Sequence, residues 1–360
     1  MATITDKQIA PLLKLLKDAQ TREASDIHLF PDSPAMLRLH GDLIELENYP
    51  IGLDDLPAFL EAVAPPGSTQ RLATEKNLDF AFRVELEGVP SRFRANFFYA
   101  GGKVGACLRI IPGKIPSLEW AGFPIHLAER LAEPRDGLII LTGATGSGKS
   151  TSLAMVVNLL NQGGGYRIIT VEEPVEYVFP KAPNSVITQR EVGTDVLHFA
   201  DGLKYGLRQD PDVILVGEVR DRETAQMALS AAETGHLVFT TLHTRDAKGA
   251  ISRFADLFPL DMQKDVRTQL AMSLRAIVAQ RLLSDPVKGA KRHLALEVLW
   301  NTNPIASGIR QGKLESLDNY LLTGRDEGQI SFDESIRQLL RAGKITRQTA
   351  LANIREPSML

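Results

Sequence analysis

The 360-residue sequence contains a single cysteine, Cys107. That excludes a disulfide framework and any multi-cysteine zinc site. Alone in a strand-like run, the thiol reads as a small core residue. Neither sign of charge is in excess: 41 Lys and Arg against 44 Asp and Glu leave a formal net charge of −3. No overall field draws nucleic acid or acidic lipid, and no stripe of interleaved aromatic and basic residues marks a strand-binding groove. Long apolar runs are missing too, since none approaches the ~18 residues of a membrane span. The opening MATITDKQIAPLLKLLKDAQ interleaves Leu with Lys and lacks a small-residue cleavage site. It reads as an amphipathic helix and not as a signal peptide. Together these absences lead to the expectation of a soluble, cytoplasmic protein with no membrane insertion and no nucleic-acid partner.

The remaining composition is ordinary, 44% hydrophobic and 24% charged, in a chain long enough for two cores. Residues 1–111 read as a small α+β domain. PAMLRLHGDLIEL predicts a hairpin turning at Gly41-Asp42. LDFAFRVELEG places Leu78, Phe80, Phe82, Val84 and Leu86 on one face, with Asp79, Arg83 and Glu85 on the other. SRFRANFFYA repeats the alternation, setting Phe93, Ala95 and Phe97 against Arg92, Arg94 and Asn96, and GGK turns it into VGACLRIIP. The expected result is an antiparallel meander with one packed face and one arginine-bearing face. Residues 112–124, PGKIPSLEWAGFP, are dense in Pro and Gly and fit an interdomain linker. Over 125–360 the pattern changes. GLIILT, YRIITV, DVILVGE and HLVFTTLH are apolar without alternation and are separated by helical patterns. Such runs predict a parallel sheet covered on both faces, hence an α/β fold class. From about Asp261 a helical C-terminal segment is expected, beginning with DMQKDVRTQLAMSLRAIVAQRLLSD.

Four segments carry chemistry. Gly143-Ala144-Thr145-Gly146-Ser147-Gly148-Lys149-Ser150, followed by Thr151, is a complete phosphate-binding loop between an apolar strand and a helix. Glycines let successive N–H groups curl around phosphate oxygens, and the helix adds its positive end. Lys149 is placed to reach the β- and γ-phosphates of ATP and Ser150 to ligate Mg²⁺. DPDVILVGEVRD delivers Glu218 at the carboxyl end of a buried strand, where ligands meet a parallel sheet. That glutamate suits a metal or water ligand, whereas Asp210 and Asp212 precede the strand and read as turn and capping residues. TVEEPVEYVF crowds Glu172, Glu173 and Glu176 at another strand exit. A bound cation and an attacking water would offset their repulsion, and position alone does not choose among them. In SAAETGHLVFTTLHT, His236 and His243 bracket a strand. His243, at its carboxyl end, suits either a γ-phosphate sensor or a structural histidine, and His28 reads as structural.

With ASDIHLFPDSPAMLRLHGDL and RFRANFF, these segments resemble the secretion and pilus ATPases over nearly the whole chain, most closely the PilT-type pilus retraction motors. The resemblance implies a RecA-like P-loop ATPase domain behind a PAS-like N-terminal domain, assembled as a homohexamer that hydrolyses ATP with Mg²⁺. It implies a peripheral position at the inner-membrane base of a pilus, against a platform protein and beside a paralogous pilus ATPase. It assigns Glu176 as the catalytic glutamate, Glu218 to Walker B and Glu172 to the first acidic position of the Asp box. It places Arg94 and Arg109 near the phosphates of a neighbouring subunit. Domain closure around ATP is expected to hinge in the linker 112–124. There are departures. EEP replaces the usual EDP, and PIASGIRQG, residues 304–312, stands where retraction motors carry AIRNLIRE. The second departure leans toward the accessory, PilU-like branch. A single cysteine excludes the four-cysteine insert of extension and secretion ATPases. A conjugation-type translocase and a non-motor ATP-binding regulator remain as other classes.

Overall fold

The structure is a computed structural model and describes residues 9–287 and 290–360. The first eight residues of the expected amphipathic helix lie outside the described residues. The chain divides into two compact units, one of residues 1–113 with 287–291, the other of residues 114–286 with 292–360.

The first unit opens with α1 (Ala10–Thr21), which buries Leu12, Leu15, Leu16 and Ala19, an i, i+3, i+4, i+7 stripe. There follow β1 (Asp26–Leu29), β2 (Pro34–Leu39), β3 (Asp42–Pro50), α2 (Asp55–Val63), α3 (Ser68–Glu75), β4 (Asn77–Leu86), β5 (Val89–Ala100) and β6 (Lys103–Ile111). They form one sheet in the order β3-β2-β1-β6-β5-β4, antiparallel throughout. The hairpin turns one residue earlier than the sequence reading placed it. Leu39 pairs with Asp42, so His40 and Gly41 make the turn, with φ of 49° and 103°. Two successive positive φ values match the twist of the flanking strands. One face packs Phe59, Phe93 and Phe97, each fully buried, with Phe82 edge-on to Phe59 at 5.7 Å. On the other face Arg94 pairs across the ladder with Arg109. Like charges opposite one another are unfavourable; Asp26 offsets this, its Oδ1 accepting from Arg109 Nε at 2.9 Å.

The second unit runs α4 (Leu118–Ala121), α5 (Ile125–Ala132), β7 (Gly137–Thr142), α6 (Lys149–Gly163), β8 (Arg167–Glu172), β9 (Val186–Glu191), α7 (Phe199–Gly206), β10 (Val213–Val216) and α8 (Arg222–Glu233). It continues with β11 (Leu237–Leu242), α9 (Ala247–Asp256), α10 (Gln263–Ser273), β12 (Leu274–Leu283), β13 (His293–Trp300), α11 (Asn303–Gln311), α12 (Ser316–Thr323), α13 (Phe332–Arg341) and α14 (Arg347–Leu351). The sheet order is β13-β12-β7-β11-β10-β8-β9. All neighbours are parallel except β13 on β12. Every residue of β7, β10 and β11 is buried, as the unalternating runs require of strands covered on both faces. Within 112–124, Ser117 caps α4 by accepting from Trp120 N at 3.1 Å, and Phe123 is buried in the core of this unit.

The expected helical C-terminal segment is corrected at its start. The helix begun at Gln263 stops at Ser273, and the next ten residues are β12. LRAIVAQRLL is an apolar run whose period fits a buried helix and a buried strand alike. Pairing with β7 on one side and β13 on the other decides for the strand. Helices take over only from α11.

Candidate nucleotide site at the carboxyl end of the sheet

The loop 143–148 leaves the central strand β7 and enters α6. Gly143, Gly146 and Gly148 take φ of 152°, 74° and 86°. A Cβ on Gly143 would stand 2.5 Å from both Ser147 Oγ and Gln280 O, so the crossing admits glycine alone. Thr142 Oγ1, at the loop's base, lies 2.7 Å from Thr244 Oγ1 just beyond β11. Lys149 Nζ donates to Gly143 O at 2.9 Å and Ala144 O at 3.2 Å, folding back on its own loop. Ser150 and Thr151 occupy the first turn of α6, where backbone N–H groups lack intrahelical partners. From β12, Gln280 donates Nε2–H to Ser147 O at 2.6 Å and braces the loop from the side. The sequence reading missed Gln280. Its signal was a lone amide, 1% exposed, inside an apolar run.

Adjacent strand ends bring distant residues together. Thr241 Oγ1 on β11 donates to Gly217 O at 2.6 Å and fixes the backbone beside Glu218, which is itself 8% exposed. Glu218 Oε1 pairs with Arg220, and Oε2 faces His243 Nε2 at 3.3 Å. Arg220 also reaches Glu173 Oε2 at 3.4 Å. Burial pushes the Lys149 ammonium below its ordinary pKa, while the Glu218 and Glu176 carboxylates hold it up. Lys149, Glu176, Glu218 and His243 therefore share one electrostatic site. Burial lowers the His243 imidazole, as does Lys149, against the pull of Glu218.

Glu172 is engaged differently. Its Oε1 accepts from Thr170 Oγ1 at 2.6 Å and Gln189 Nε2 at 3.2 Å. Burial raises its pKa, those two hydrogen bonds oppose the rise, and Glu176 adds to it. His236 sits at the amino end of β11, its Nδ1 3.0 Å from Ala231 O, where it finishes α8 and stands away from the loop. Asp212, also at the amino end, accepts from Arg167 N at 2.7 Å, a bond to the start of β8 and not the turn or cap expected of it. Arg94 and Arg109 stand on the first unit, on the sheet face described above.

The loop suits a phosphate chain with a cation. Ser147 Oγ and Gln280 Oε1 are buried without a hydrogen-bond partner. Leaving such an atom unmade costs about 1–3 kcal/mol, and a polar ligand at the loop removes that penalty. Among the described residues no group of three His, Cys, Asp or Glu side chains forms a metal cage. Mg²⁺ does not need one, because it is usually held by one or two protein ligands plus phosphate oxygens.

A phosphate loop on β7 and a carboxylate on β10, one strand apart across β11, is the arrangement of RecA-like P-loop ATPases. Residues 119–343 match the family described as type II/IV secretion system protein. The uncharacterized protein YggR of Escherichia coli (strain K12) is 41% identical over 89% of this chain and 95% of its own length. In Pseudomonas aeruginosa, the type IV pilus retraction ATPase PilT is 36% identical over 96% of this chain and 98% of its own. PilU of the same organism is 37% identical over 94% and 87%. The crystal structure of the pilus retraction motor PilT with bound ADP superposes with a TM-score of 0.83 and 41% identity, covering 97% of this chain and 98% of that one. The chain belongs to the type II/IV secretion ATPase family, in its PilT/PilU-type group.

Proposed function

We infer that this chain is an ATP-driven motor of the PilT/PilU type, powering type IV pilus retraction. The observation that carries the chemistry is the phosphate loop with Lys149 folded onto it, Glu218 and His243 meeting at the neighbouring strand ends, and the loop of Glu176 tied to α6 through Tyr177 and Thr151. The motor works as a homohexamer at the inner-membrane platform of the pilus. No described helix is long and apolar enough to cross a membrane, and the family supports a peripheral, cytoplasmic position.

The substrate is ATP. The N–H groups of the loop and of the first turn of α6 bind its phosphates. Lys149 exchanges the carbonyls of Gly143 and Ala144 for β- and γ-phosphate oxygens. Ser150 and, through water, Glu218 would hold Mg²⁺, which would supply neutralisation of charge on the phosphates. Glu176 orients a water against the γ-phosphorus and takes its proton as the β–γ bridging bond breaks, yielding ADP and inorganic phosphate. Neutral His243 reports γ-phosphate to Glu218. Arg94 and Arg109 of a neighbouring subunit offset charge in the transition state.

A second reading, an accessory ATPase of the PilU kind, is favoured by Pro304–Gly312. That segment is α11 and its cap. Ile305, Gly308 and Ile309 are buried, so the divergent polar positions such as Arg310 and Gln311 lie on the outer side. Filament retraction in a strain deleted for this chain tests both readings. Loss restored by the wild type but not by Lys149→Ala supports the motor, partial loss supports the accessory role, and unchanged retraction sinks both.

A further inference from the structure

Glu176 stands in an irregular stretch, residues 173–185, between β8 and β9. A loop places a reacting group well only when its supports are fixed. Here the supports come from side chains of β9, the last strand of the sheet. Gln189 Nε2 donates to Tyr177 O at 2.7 Å and to Glu172 Oε1 at 3.2 Å, while its Oε1 accepts from Phe179 N at 3.0 Å. Two residues along the strand, Glu191 Oε2 accepts from Val175 N at 3.0 Å. Positions 189 and 191 lie on the same side of a strand, so the two side chains grip the loop as consecutive rungs. Val175, Tyr177 and Phe179 turn inward and are buried, leaving Glu176 half-exposed between two of them. A further tether reaches the phosphate loop's own helix, where Tyr177 Oη meets Thr151 Oγ1 at 2.9 Å.

We propose that Gln189 is a positioning residue for hydrolysis, which holds the Glu176 loop in register with the phosphate loop. A single amide satisfies a carbonyl at 177, an N–H at 179 and the neighbouring carboxylate. No other neutral side chain presents two donors and an acceptor in one plane at that reach. Glutamate at 189 would lose both donors and repel Glu172. Alanine would leave the flanks of Glu176 without either bond. Tyr177 is the second support, since its hydroxyl links the residue after Glu176 to the turn that carries Ser150. The inference rests on the reading of Glu176 as the group that orients water.

Steady-state turnover and ATP affinity of the full chain, measured separately, test it. Gln189→Ala should lower kcat by about 10²-fold, the effect of a misplacement of about 1 Å. ATP affinity should stay within about twofold, because the phosphate loop is untouched. Tyr177→Phe deletes one oxygen and keeps the ring; it should lower kcat about fivefold, in line with one lost hydrogen bond, and answers the question if Gln189→Ala does not fold. The Gln189→Ala/Glu176→Gln double variant should be no slower than Glu176→Gln alone, because one residue acts through the other. Wild-type kcat in Gln189→Ala and Tyr177→Phe beside a stalled Glu176→Gln would overturn the positioning role and leave Glu176 in place. Additive losses, or affinity falling as much as kcat, would overturn it as well. Normal turnover in Glu176→Gln would instead remove the reading on which the proposal stands.

Discussion

Glu218 and His243 face each other at 3.3 Å, Oε2 to Nε2, from the ends of neighbouring parallel strands. The imidazole is held below its ordinary pKa of 6.5, by burial first and then by Lys149. At neutral pH it is uncharged, and Glu218 Oε2 keeps a lone pair for a metal-bound water. Acidification protonates His243, which then competes for that oxygen. Turnover should therefore fall on an acid limb below pH 6.5, and His243→Asn, which carries no proton to gain, should lose that limb. The sign for stability is the same. A folded pKa below the unfolded one gives a contribution that is intact above 6.5 and lost as pH falls through the folded value. A pH–rate profile of both proteins decides, and a limb that persists in the variant belongs to another group.

Lys149→Ala should reduce turnover by ~10²-fold or more, the usual loss on removing one preorganised charge. In the wild type, burial lowers the ammonium from its ordinary 10.5. The alkaline limb of kcat/KM, which reports the free enzyme, should then lie below that value. Near-normal ATPase activity in the variant would remove the site assignment.

Glu176→Gln should bind ATP and stall. Glu172→Gln should retain turnover within about tenfold, since an amide oxygen still accepts from Thr170 and one hydrogen bond is a modest loss. Glu172 is the serious competitor because its raised pKa suits a base. Its Oε1 is already committed to Thr170 and Gln189. The reverse pattern of losses would move the base to Glu172.

Gln280→Leu keeps volume and removes the bond to Ser147 O. The stranded carbonyl should cost about 1–3 kcal/mol of stability, read as a lower melting temperature, with ATP affinity about tenfold weaker for each ~1.4 kcal/mol lost from the bound loop. Unchanged affinity would show that the loop holds its form without the brace.

The trans assignment of Arg94 and Arg109 can be tested by mixing. An Arg94→Ala/Arg109→Ala chain and a Lys149→Ala chain should each be nearly inactive alone. In verified mixed rings, some interfaces pair an intact loop with intact arginines, so activity should partly return. Mixed rings as inactive as their parents would place the arginines in cis or make hydrolysis depend on an undamaged ring.

Much of this was legible because the phosphate loop, the carboxylate strand and the histidine strand are each contiguous in sequence. Glycines at 143, 146 and 148 announce themselves by type, and Glu218 by the apolar run before it. What stayed hidden depends on pairing between distant segments. Nothing around Gln280 says that β12 will lie against β7, and its apolar run reads as helix. Gln189 drew no attention in the sequence because β9, half-buried along most of its length, alternates too weakly to show which side meets the loop. The sequence already set His243 at the carboxyl end of its strand; what it left open was whether that histidine senses phosphate or is structural, and the contact with Glu218 comes from a neighbouring strand.

The placement of β12 bears on the order in which the molecule is made. The phosphate loop emerges from the ribosome early, yet both partners of its strand, β11 and β12, follow much later in the chain. The brace from Gln280 arrives later than either full pairing partner's first residues. A nascent chain thus leaves one edge of the apolar β7 open, and its loop without side support, until some 280 residues have been translated. Closing such long-range pairings is slow and leaves strand edges open meanwhile. Nucleotide capture is in this way deferred to a nearly finished polypeptide, and that window, when the edge of β7 is bare, is where aggregation and chaperone engagement will concentrate.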